Sequence, residues 1–331
     1  MDLHPWLELN MEETISSLSA KMRDVVFAKL SKKGTIVAIS GGIDSSVCAA
    51  LCMNALGKDR VFGLLLPELD SSRESLLFGE SLCRQLGIDH AVFDITKTLE
   101  AIGCYSWRDE AIRTLFPEFG KGWKSKIVID QNLLEKNRYN IFTLVVESPD
   151  GRPARKRLPL KAYLQIVAAT NFKQRIRKTL EYFHADRLNY AVIGTPNRLE
   201  YDQGFFVRNG DGSADLKPIA HLYKSQVYAL GRHLGLPSEI LEARPTTDTY
   251  SLVQSQEEFY FVLPYEKMDI ALFGINNGKS PEEVGVETGL SPDQVRRVFQ
   301  DIQTKRRTTQ SLHWHPHLLS DVPEIRRDGD N

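Results

Sequence analysis

The sequence predicts an α/β protein with a doubly wound, mostly parallel, Rossmann-like sheet. Short β-branched apolar runs alternate with segments of helical periodicity, and glycines follow the ends of several of those segments. Parallel strands need such helical crossovers, because each connection must return the chain to the same edge of the sheet. We therefore expect a central sheet that is covered by helices on both faces.

The first part of the chain begins with an amphipathic helix that ends before Gly34. Its apolar stripe fits either the core or a partner surface. Strands and helices then alternate. The predicted elements are a helix over residues 11–30, a strand over 35–39, a helix over 45–56, a strand over 60–66, a helix over 73–86 and a strand over 90–95.

The pattern breaks over residues 103–159, which we interpret as an inserted excursion with a hairpin over 139–160 that turns near Gly151. Alternation then resumes, and the chain closes with a helical segment whose two short helices are more typical of a plain α-hairpin than of a DNA reader. We expect one domain over residues 1–310 and a polar tail over 311–331. The later predicted elements are a helix over 161–186, a strand over 190–194, a mobile Gly/Asp-rich loop over 205–215, a helix over 221–234, a loop over 246–258, and helices over 281–288 and 292–303.

The charge balance argues against a general binder of nucleic acid or membrane surfaces, because 42 Lys and Arg residues face 43 Asp and Glu residues. No apolar run reaches membrane-spanning length and the N-terminus lacks a signal-peptide core, so we expect a cytoplasmic protein. None of the cysteines forms a C-x-x-C pair, and buried thiols are the ordinary interpretation. The cysteines are Cys48, Cys52, Cys83 and Cys104.

Residues 40–46, SGGIDSS, lie between a predicted strand and a predicted helix. Glycines let backbone N–H groups approach an anion, serine hydroxyls add donors, and the helix N-terminus adds partial positive charge. A Walker loop is excluded because no lysine follows the second glycine, and the GKS at residues 278–280 has Phe273 where that motif needs glycine. Asp44 would repel a phosphate unless a cation lies between them, which predicts Mg²⁺. A capped strand–turn–helix is the ordinary alternative, but the complete pattern favours a phosphate site.

This loop resembles the PP-loop, S-G-G-x-D-S-[ST], of the ATP pyrophosphatases, which holds the β,γ-pyrophosphate of ATP while the α-phosphate is attacked. Further motifs resemble the synthetase domain of the ammonia-dependent NAD synthetase family, from about residue 11 to residue 307 with 103–159 excluded. The resemblance implies an adenine nucleotide alpha hydrolase type of fold and a ligase that forms C–N bonds. The motifs are NFKQRIR at residues 171–177, GTPNRLE at 194–200, GFFVRNGDGSADLKPIAHLYKSQV at 204–227, RPTTD at 244–248 and TKRR at 304–307.

The resemblance also implies the site residues. ATP would be held by Ser40, Gly41, Gly42, Asp44, Ser45, Ser46, Thr195, Lys224 and Thr246, and Mg²⁺ by Asp44 and Glu200. Deamido-NAD would be held by Arg175, Arg208, Asp215, Thr304 and Lys305. The chemistry of these side chains agrees, because lysine suits polyphosphate, a carboxylate suits the metal, and arginine forms a bidentate fork with phosphate or carboxylate. Solvated helix faces, and a pair between Glu200 and Arg198, are the ordinary alternatives.

The implied reaction has two steps. A carboxylate resists ammonia because its leaving group is poor, so ATP first converts it to an acyl-adenylate with release of pyrophosphate, and ammonia then gives the amide and AMP. Thr304, Arg208 and Val207 depart from the family pattern on the side of the second substrate, and Pro196 departs beside an ATP contact. These departures leave open a relative that amidates a different carboxylate. A non-catalytic protein that binds nucleotide or DNA through the basic C-terminal helices is a third hypothesis.

The sequence also leads to expectations about the source of ammonia and the oligomeric state. The chain is too short to add a nitrilase-type glutaminase, and Asp2 stands where an N-terminal Cys glutaminase would carry its nucleophile. Ammonia would therefore be free or come from a separate glutaminase partner. The resemblance implies a homodimer with the substrate site near the interface. HWHPH at residues 313–317 could bind a metal, but in a polar tail we favour a disordered or dimer-contacting segment.

Overall fold

The computed structural model describes residues 3–129, 142–243, 250–252, 254, 260–261, 263–320, 322 and 324. The strands among these residues are β1 (Thr35–Ala38), β2 (Val61–Leu65), β3 (Asp89–Val92), β4 (Lys124–Ile129), β5 (Phe142–Glu147), β6 (Pro153–Arg157) and β7 (Ala191–Ile193). The α-helices are α1 (Met11–Arg23), α2 (Ile43–Leu56), α3 (Arg73–Leu86), α4 (Thr96–Ala101), α5 (Cys104–Arg113), α6 (Leu160–Leu188), α7 (Arg198–Gln203), α8 (Lys224–His233), α9 (Ser238–Glu242), α10 (Tyr265–Asn276), α11 (Pro281–Thr288) and α12 (Pro292–Thr309).

The central sheet is parallel, with strand order β3–β2–β1–β7. Successive residues of β1 point to opposite faces. Ile36 packs in the core formed with α4, α5 and α6, whereas Val37 packs in the core formed with α1, α2, α3 and α8. Helices therefore cover both faces, and the predicted doubly wound class is confirmed. The predicted strands are all present, although β3 ends at Val92 rather than at residue 95.

The N-terminal amphipathic segment forms α1 and continues as a π-helical turn over Asp24–Lys29. Ile15, Leu18 and Met22 are buried in the core with α2. The apolar stripe therefore serves the core and not a partner surface. Among the described residues, no helix combines the length and the apolar character needed to cross a membrane.

Residues 103–159 contain α5 and a second, antiparallel sheet with the order β4–β5–β6. The predicted hairpin is confirmed as β5 and β6, with Gly151 at a φ of 79° in the turn between them. The sequence pattern does not predict β4 or α5, because charged residues are interspersed with their apolar positions. Ile112 of α5 and Leu144 of β5 share a core with the start of α6, so this unit packs on the same long helix that covers the central sheet.

The C-terminal helices α10, α11 and α12 enclose a core that includes Leu272, Val284 and Ile302. Ser280 and Ser291 begin α11 and α12 with reciprocal capping boxes. The predicted pair of helices is confirmed, but α12 continues to Thr309, beyond the predicted end at residue 303. The longer helix brings its last turns against α7.

Candidate active site

The phosphate loop follows the carboxyl end of β1 and runs into α2. Gly41 has a φ of 79°, and a Cβ at this position would collide with the carbonyl oxygen of Ser75 in α3. Only glycine therefore fits. The loop ends at the N-terminus of α2, where the first N–H groups of a helix lack partners within it and its partial positive charge favours an anion.

The serine hydroxyls hold the loop in shape. Ser45 and Ser46 both donate to the carbonyl of Gly42, at 3.0 and 2.8 Å, and the Ser40 N–H donates to Ser45 Oγ at 3.2 Å. Ser40 and Ser45 also line the cavity in front of the loop, whereas Ser46 is fully buried. In this arrangement Ser40 and Ser45 can reach a ligand, and Ser46 fixes the turn.

Asp44, in the first turn of α2, meets two side chains from distant parts of the chain. Its Oδ1 accepts a hydrogen bond from Asn197 Nδ2 at 3.2 Å, and its Oδ2 is paired with Lys224 Nζ at the start of α8. Asn197 caps α7, and Glu200 completes that cap by accepting from the Asn197 N–H at 3.1 Å. The fold thus brings together Asp44, Glu200 and Lys224, which the resemblance assigns to ATP and metal. Arg198 instead lies over the Tyr223 ring, 4.9 Å from its centre.

The charges in this cluster act on one another. Burial lowers the pKa of Lys224, but the carboxylates of Asp44 and Glu200 outweigh it, and the net shift is upward. Burial, Cys52 and the same two carboxylates raise the pKa of the Cys48 thiol. Lys224 is therefore held as a cation and Cys48 as a neutral thiol, which excludes a thiolate nucleophile at this place.

The donor set also bears on the predicted metal. Among the described residues, no group of three or more His, Cys, Asp and Glu side chains forms a protein cage for an ion. Mg²⁺ bound to a nucleotide does not need one, because phosphate oxygens and water complete its shell around one or two carboxylates. Asp44 and Glu200 provide that number, so the residues present fit the ion.

A cavity of about 220 Å³ opens in front of the loop at the carboxyl ends of β1, β2 and β7. Ligands of doubly wound sheets bind at this edge, where the strand order changes direction, here between β1 and β7. Leu65, Leu66 and Pro67 give the cavity one apolar wall. Thr195, which follows β7, and Arg177 of α6 line it from the other side. Thr246, the remaining residue assigned to ATP, lies outside the described residues.

The residues assigned to the second substrate differ in how far they are available to a ligand. Arg175 of α6 donates from Nε to the carbonyl of Arg208 at 3.3 Å, so the two arginines are neighbours on the exposed surface. Asp215 accepts the Val192 N–H at 2.7 Å, beside the backbone hydrogen bonds that Leu216 makes along β7. The first two can meet a ligand directly, whereas one oxygen of Asp215 is used by the sheet.

Thr304 and Lys305 are adjacent on α12 but differ in their surroundings. Thr304 is exposed, whereas the buried Lys305 Nζ lies 2.6 Å from both the Tyr260 carbonyl and Asp301. Burial lowers the pKa of Lys305, and Asp301 opposes that shift. In this structure Lys305 supports the backbone at Tyr260 and is only partly available to a phosphate.

Comparison with known proteins decides the family, because the NAD synthase model matches residues 14–117 and 126–310. The chain belongs to the NAD synthase family. It is 56% identical over 314 residues to the NH(3)-dependent NAD(+) synthetase of Rhizobium meliloti (strain 1021), which covers 95% of this chain and 92% of that protein. The protein of the same name from Thermotoga neapolitana is 32% identical over 296 residues, or 89% of this chain and 93% of the relative.

Two solved structures share the NAD synthase fold of this chain. NMN synthetase from Francisella tularensis aligns with a TM-score of 0.64 at 21% identity, over 94% of this chain and 99% of that one. The NH3-dependent NAD synthetase from Campylobacter jejuni aligns with a TM-score of 0.61 at 21% identity, over 95% and 100%. At these identities the likeness concerns the fold alone.

The range of the NAD synthase match includes most of the unit that we interpret as an excursion. Of residues 103–159, only 118–125 lie outside the matched range. Helix α5 and the β5–β6 hairpin therefore lie within the range that the family model matches. The sequence did not reveal this part of the match, because residues 103–159 lack the short polar motifs by which the rest of the chain resembles the family.

Sequence reasoning missed two side chains at this NAD synthase site. Asn197 bonds to Asp44, and its signal was the N-x-x-E spacing with Glu200, which is typical of a capping box. Arg177 donates from Nε to the Leu66 carbonyl at 3.2 Å and lines the cavity. Arg177 stands two residues after Arg175 and so lies on a different face of α6. The sequence alone does not say which of the two faces points to the cavity.

Proposed function

We propose that this chain is an ammonia-dependent NAD synthetase, a ligase that converts the carboxylate of deamido-NAD into the amide of NAD with ATP and ammonia. One observation carries the proposal. The phosphate loop, Asp44, Glu200 and Lys224 meet at one edge of the sheet in a chain that is 56% identical, over nearly its whole length, to an enzyme of that name.

The chemistry follows from the weakness of a carboxylate as an electrophile. A carboxylate oxygen of deamido-NAD attacks the α-phosphorus of ATP, and the bond to the bridging oxygen breaks to release pyrophosphate. Ammonia then attacks the acyl carbon, AMP leaves and a proton is lost to solvent. No side chain needs to become covalently attached, so catalysis rests on positioning and on neutralising charge.

The described residues suit these tasks. We assign the departing pyrophosphate to the phosphate loop at the N-terminus of α2, where the Lys224 cation balances its growing charge. Ser40, Ser45 and Thr195 line the cavity and add hydroxyl donors. The apolar wall at Leu66 and Pro67 suits the adenine base.

Mg²⁺ is part of the proposal, and Asp44 and Glu200 are the residues that would hold it. When bound, the ion would neutralise phosphate charge and act as a Lewis acid. Lys224 is paired with Asp44 in this structure, so the chain already provides one positive charge at the same carboxylate. Asn197 orients Asp44 through Oδ1 and Lys224 is paired with Oδ2, so a bound Mg²⁺ would share Asp44 with Lys224.

The second substrate is assigned to the surface around Arg175 and Arg208, with Asp215, Thr304 and Lys305 as further contacts. The Arg175 guanidinium, which donates to the Arg208 backbone, and the exposed Arg208 side chain suit a phosphate or a carboxylate. A different carboxylate is the alternative substrate, but no feature of the described residues favours it. The relatives named for NAD synthesis favour deamido-NAD.

A homodimer through the exposed face of α6 fits the same assignment. Leu160 and Leu164 lie one turn apart on that helix and are 71% and 55% exposed, and large apolar side chains are costly in water. Arg175 follows Leu164 by about three turns and is exposed on the same face. A partner on this face would lie beside the proposed deamido-NAD site.

The four cysteines are all free and buried, which suits the reducing cytoplasm that we propose as the location. Ammonia is either free or supplied by a separate glutaminase. A nucleic-acid role is not proposed, because Arg296 of α12 is already paired with Glu282 and Asp293.

The decisive assay measures AMP and NAD formed by the purified chain with ATP, Mg²⁺ and ammonium, with and without deamido-NAD. We expect AMP to appear only with deamido-NAD, with one NAD formed per AMP. Absence of AMP above background at millimolar deamido-NAD, from protein that still binds ATP, would reassign the chain to another carboxylate.

Asp44 provides the matched test of the site. Asp44→Asn should lower kcat by about a hundredfold or more and leave the fold intact, because it removes the charge that pairs with Lys224 and with a metal. Asp59→Asn is the control and should retain activity, because this exposed residue lies just before β2, at the opposite edge of the sheet from the loop. Wild-type turnover in the Asp44 variant would remove this residue from the mechanism.

A further inference from the structure

A cluster of buried charges lies behind the cavity, where α5 and α6 meet residues 66–72, the wall segment that follows β2. Lys173 Nζ of α6 lies 3.0 Å from Glu68 Oε1 and 2.6 Å from Asp70 Oδ2. The side chains are 1%, 0% and 6% exposed in that order. Arg108 of α5 completes the cluster, with Nη1 2.6 Å from the same oxygen of Asp70.

The hydroxyl of Tyr105, also on α5, contacts the wall segment twice. It donates to Glu68 Oε2 at 2.7 Å and accepts from the Leu69 N–H at 3.4 Å. Both oxygens of Glu68 are therefore satisfied. Helices α5 and α6 thus hold the wall segment through the Leu69 N–H and two carboxylates, and the Ile95 N–H also donates to the Pro67 carbonyl at 3.0 Å.

The cluster stands behind the cavity and not in it, since the parts of the wall segment that line the cavity are Leu66, Pro67, Ser71 and Ser72. Arg177 secures the segment from the cavity side through the Leu66 carbonyl. The wall is thus held between two layers of polar contacts. Its position relative to the phosphate loop depends on the placement of α5 and α6.

Buried ion pairs add little net stability, because the desolvation of the charges offsets their attraction. The four buried charges are better explained by specificity, because they fix a single arrangement of the wall segment against α5 and α6. We propose that Tyr105, Arg108 and Lys173 are positioning residues that hold the wall segment in the geometry that binds ATP. The inference rests on the proposed function, and it gives the 103–159 unit a role in nucleotide binding through α5.

Tyr105→Phe tests the inference, because it removes one hydroxyl and keeps the ring on which the Arg108 guanidinium lies, 5.4 Å from the ring centre. We expect the Kd for MgATP, measured by calorimetry, and the KM for ATP to rise about three- to tenfold. The KM for deamido-NAD and kcat should stay within about twofold of wild type. A general loss of structure would move all of these constants.

Tyr163→Phe is the matched control, because Tyr163 is a half-buried tyrosine of α6 that stacks on Phe142, 4.3 Å away, in the 103–159 unit. It should bind ATP as wild type does. Arg108→Lys should recover part of the affinity that Arg108→Met loses. Equal ATP binding by wild type and Tyr105→Phe, or an equal loss in Tyr163→Phe, would overturn the positioning role. Failure of the wild type itself to bind ATP would overturn the proposed function as well.

Discussion

Gly41 and Gly42 are adjacent, but the phosphate loop uses them for different reasons. Gly41 has a φ of 79°, and an added Cβ would strike the Ser75 carbonyl. Gly42 has a φ of −85°, which any residue adopts, and the atom nearest to an added Cβ is Ser40 Oγ at 3.4 Å. The first glycine is required by the backbone, and the second is required only if a ligand approaches closely.

This difference predicts that alanine will destabilise the protein at Gly41 but not at Gly42. Gly41→Ala should lower the free energy of unfolding by about 1–3 kcal/mol, because the left-handed conformation and the close backbone both oppose a side chain. Gly42→Ala should unfold at the wild-type midpoint. Urea denaturation checks both variants, and equal midpoints for the two would contradict the role given to Gly41.

Asp269 sets the position of Lys224 from beneath. It is fully buried on α10 and accepts hydrogen bonds from the Lys224 N–H at 3.2 Å and the Ser225 N–H at 2.7 Å. Burial raises the pKa of Asp269 to about 7, against the hydrogen bonds that favour its charged form. The carboxyl therefore titrates in the fold near neutral pH.

The sign of the resulting pH dependence is definite. Between about pH 4 and pH 7 the folded protein keeps a proton on Asp269 that the unfolded chain has lost, so this group reduces stability as the pH rises. The slope is at most about 1.4 kcal/mol per pH unit. Asp269→Asn should remove that slope, so the unfolding free energies of variant and wild type should diverge in the variant's favour between about pH 4 and pH 7 and differ by a constant amount above that range. Parallel pH profiles would contradict the assignment.

Helix α12 is fastened to the helix that carries Glu200. Arg306 forms a bidentate fork with Asp202, at 2.6 and 2.7 Å, and also reaches Asn276 Oδ1 of α10 at 2.6 Å. Asp202 stands two residues after Glu200 on the short helix α7. The C-terminal helices thus help to fix the orientation of a proposed metal ligand from outside the central sheet.

Arg306→Lys should therefore weaken both the fold and the site. A lysine keeps the charge but cannot form the fork, so we expect a loss of about 1–2 kcal/mol in unfolding free energy and a several-fold fall in kcat/KM. Arg307→Lys, at the next and exposed position, is the control and should behave as wild type. A variant at Arg306 with unchanged stability and rate would show that α7 is fixed by other contacts.

Helices and strands could be predicted from the sequence where their apolar residues form a clear pattern. The central strands were found because both of their faces are buried, which produces short β-branched runs such as the one that ends at Ile39. β4 was missed because Lys124 and Lys126 alternate with its inward-facing residues and hide a half-buried strand. α7 was missed because six residues give too little periodicity to detect.

The site was predictable where the chain reaches one edge of the sheet, and less so where helices from distant segments meet. Asp44, Glu200 and Lys224 were named from motifs, and the fold brings them together. Burial of Lys305 could not be read from TKRR, because it depends on how α12 lies against Tyr260. The contacts of Tyr105 with Glu68 and Leu69 were equally hidden, since the residues are far apart in the chain.

At the scale of the whole molecule, the proposed ATP site is enclosed by a single chain, whereas the proposed deamido-NAD site is open to solvent. Phosphate loop, cavity and wall segment are closed by α2, α6 and the 103–159 unit. Arg175 and Arg208 instead lie on the surface. A substrate that must be held away from water while it is activated would need further cover at that surface.

The exposed face of α6 is where a second copy would supply that cover. Leu164→Glu should convert the proposed dimer into a monomer, because a charge would have to be buried at the interface, and it should raise the KM for deamido-NAD more than the Kd for ATP. Light scattering gives the mass of each variant, and the two constants show which substrate site depends on the partner. Val286→Glu is the control, since Val286 is 81% exposed on α11, away from α6, and should leave the dimer intact. A monomeric wild type, or a dimer that survives Leu164→Glu, would place the interface elsewhere or remove it.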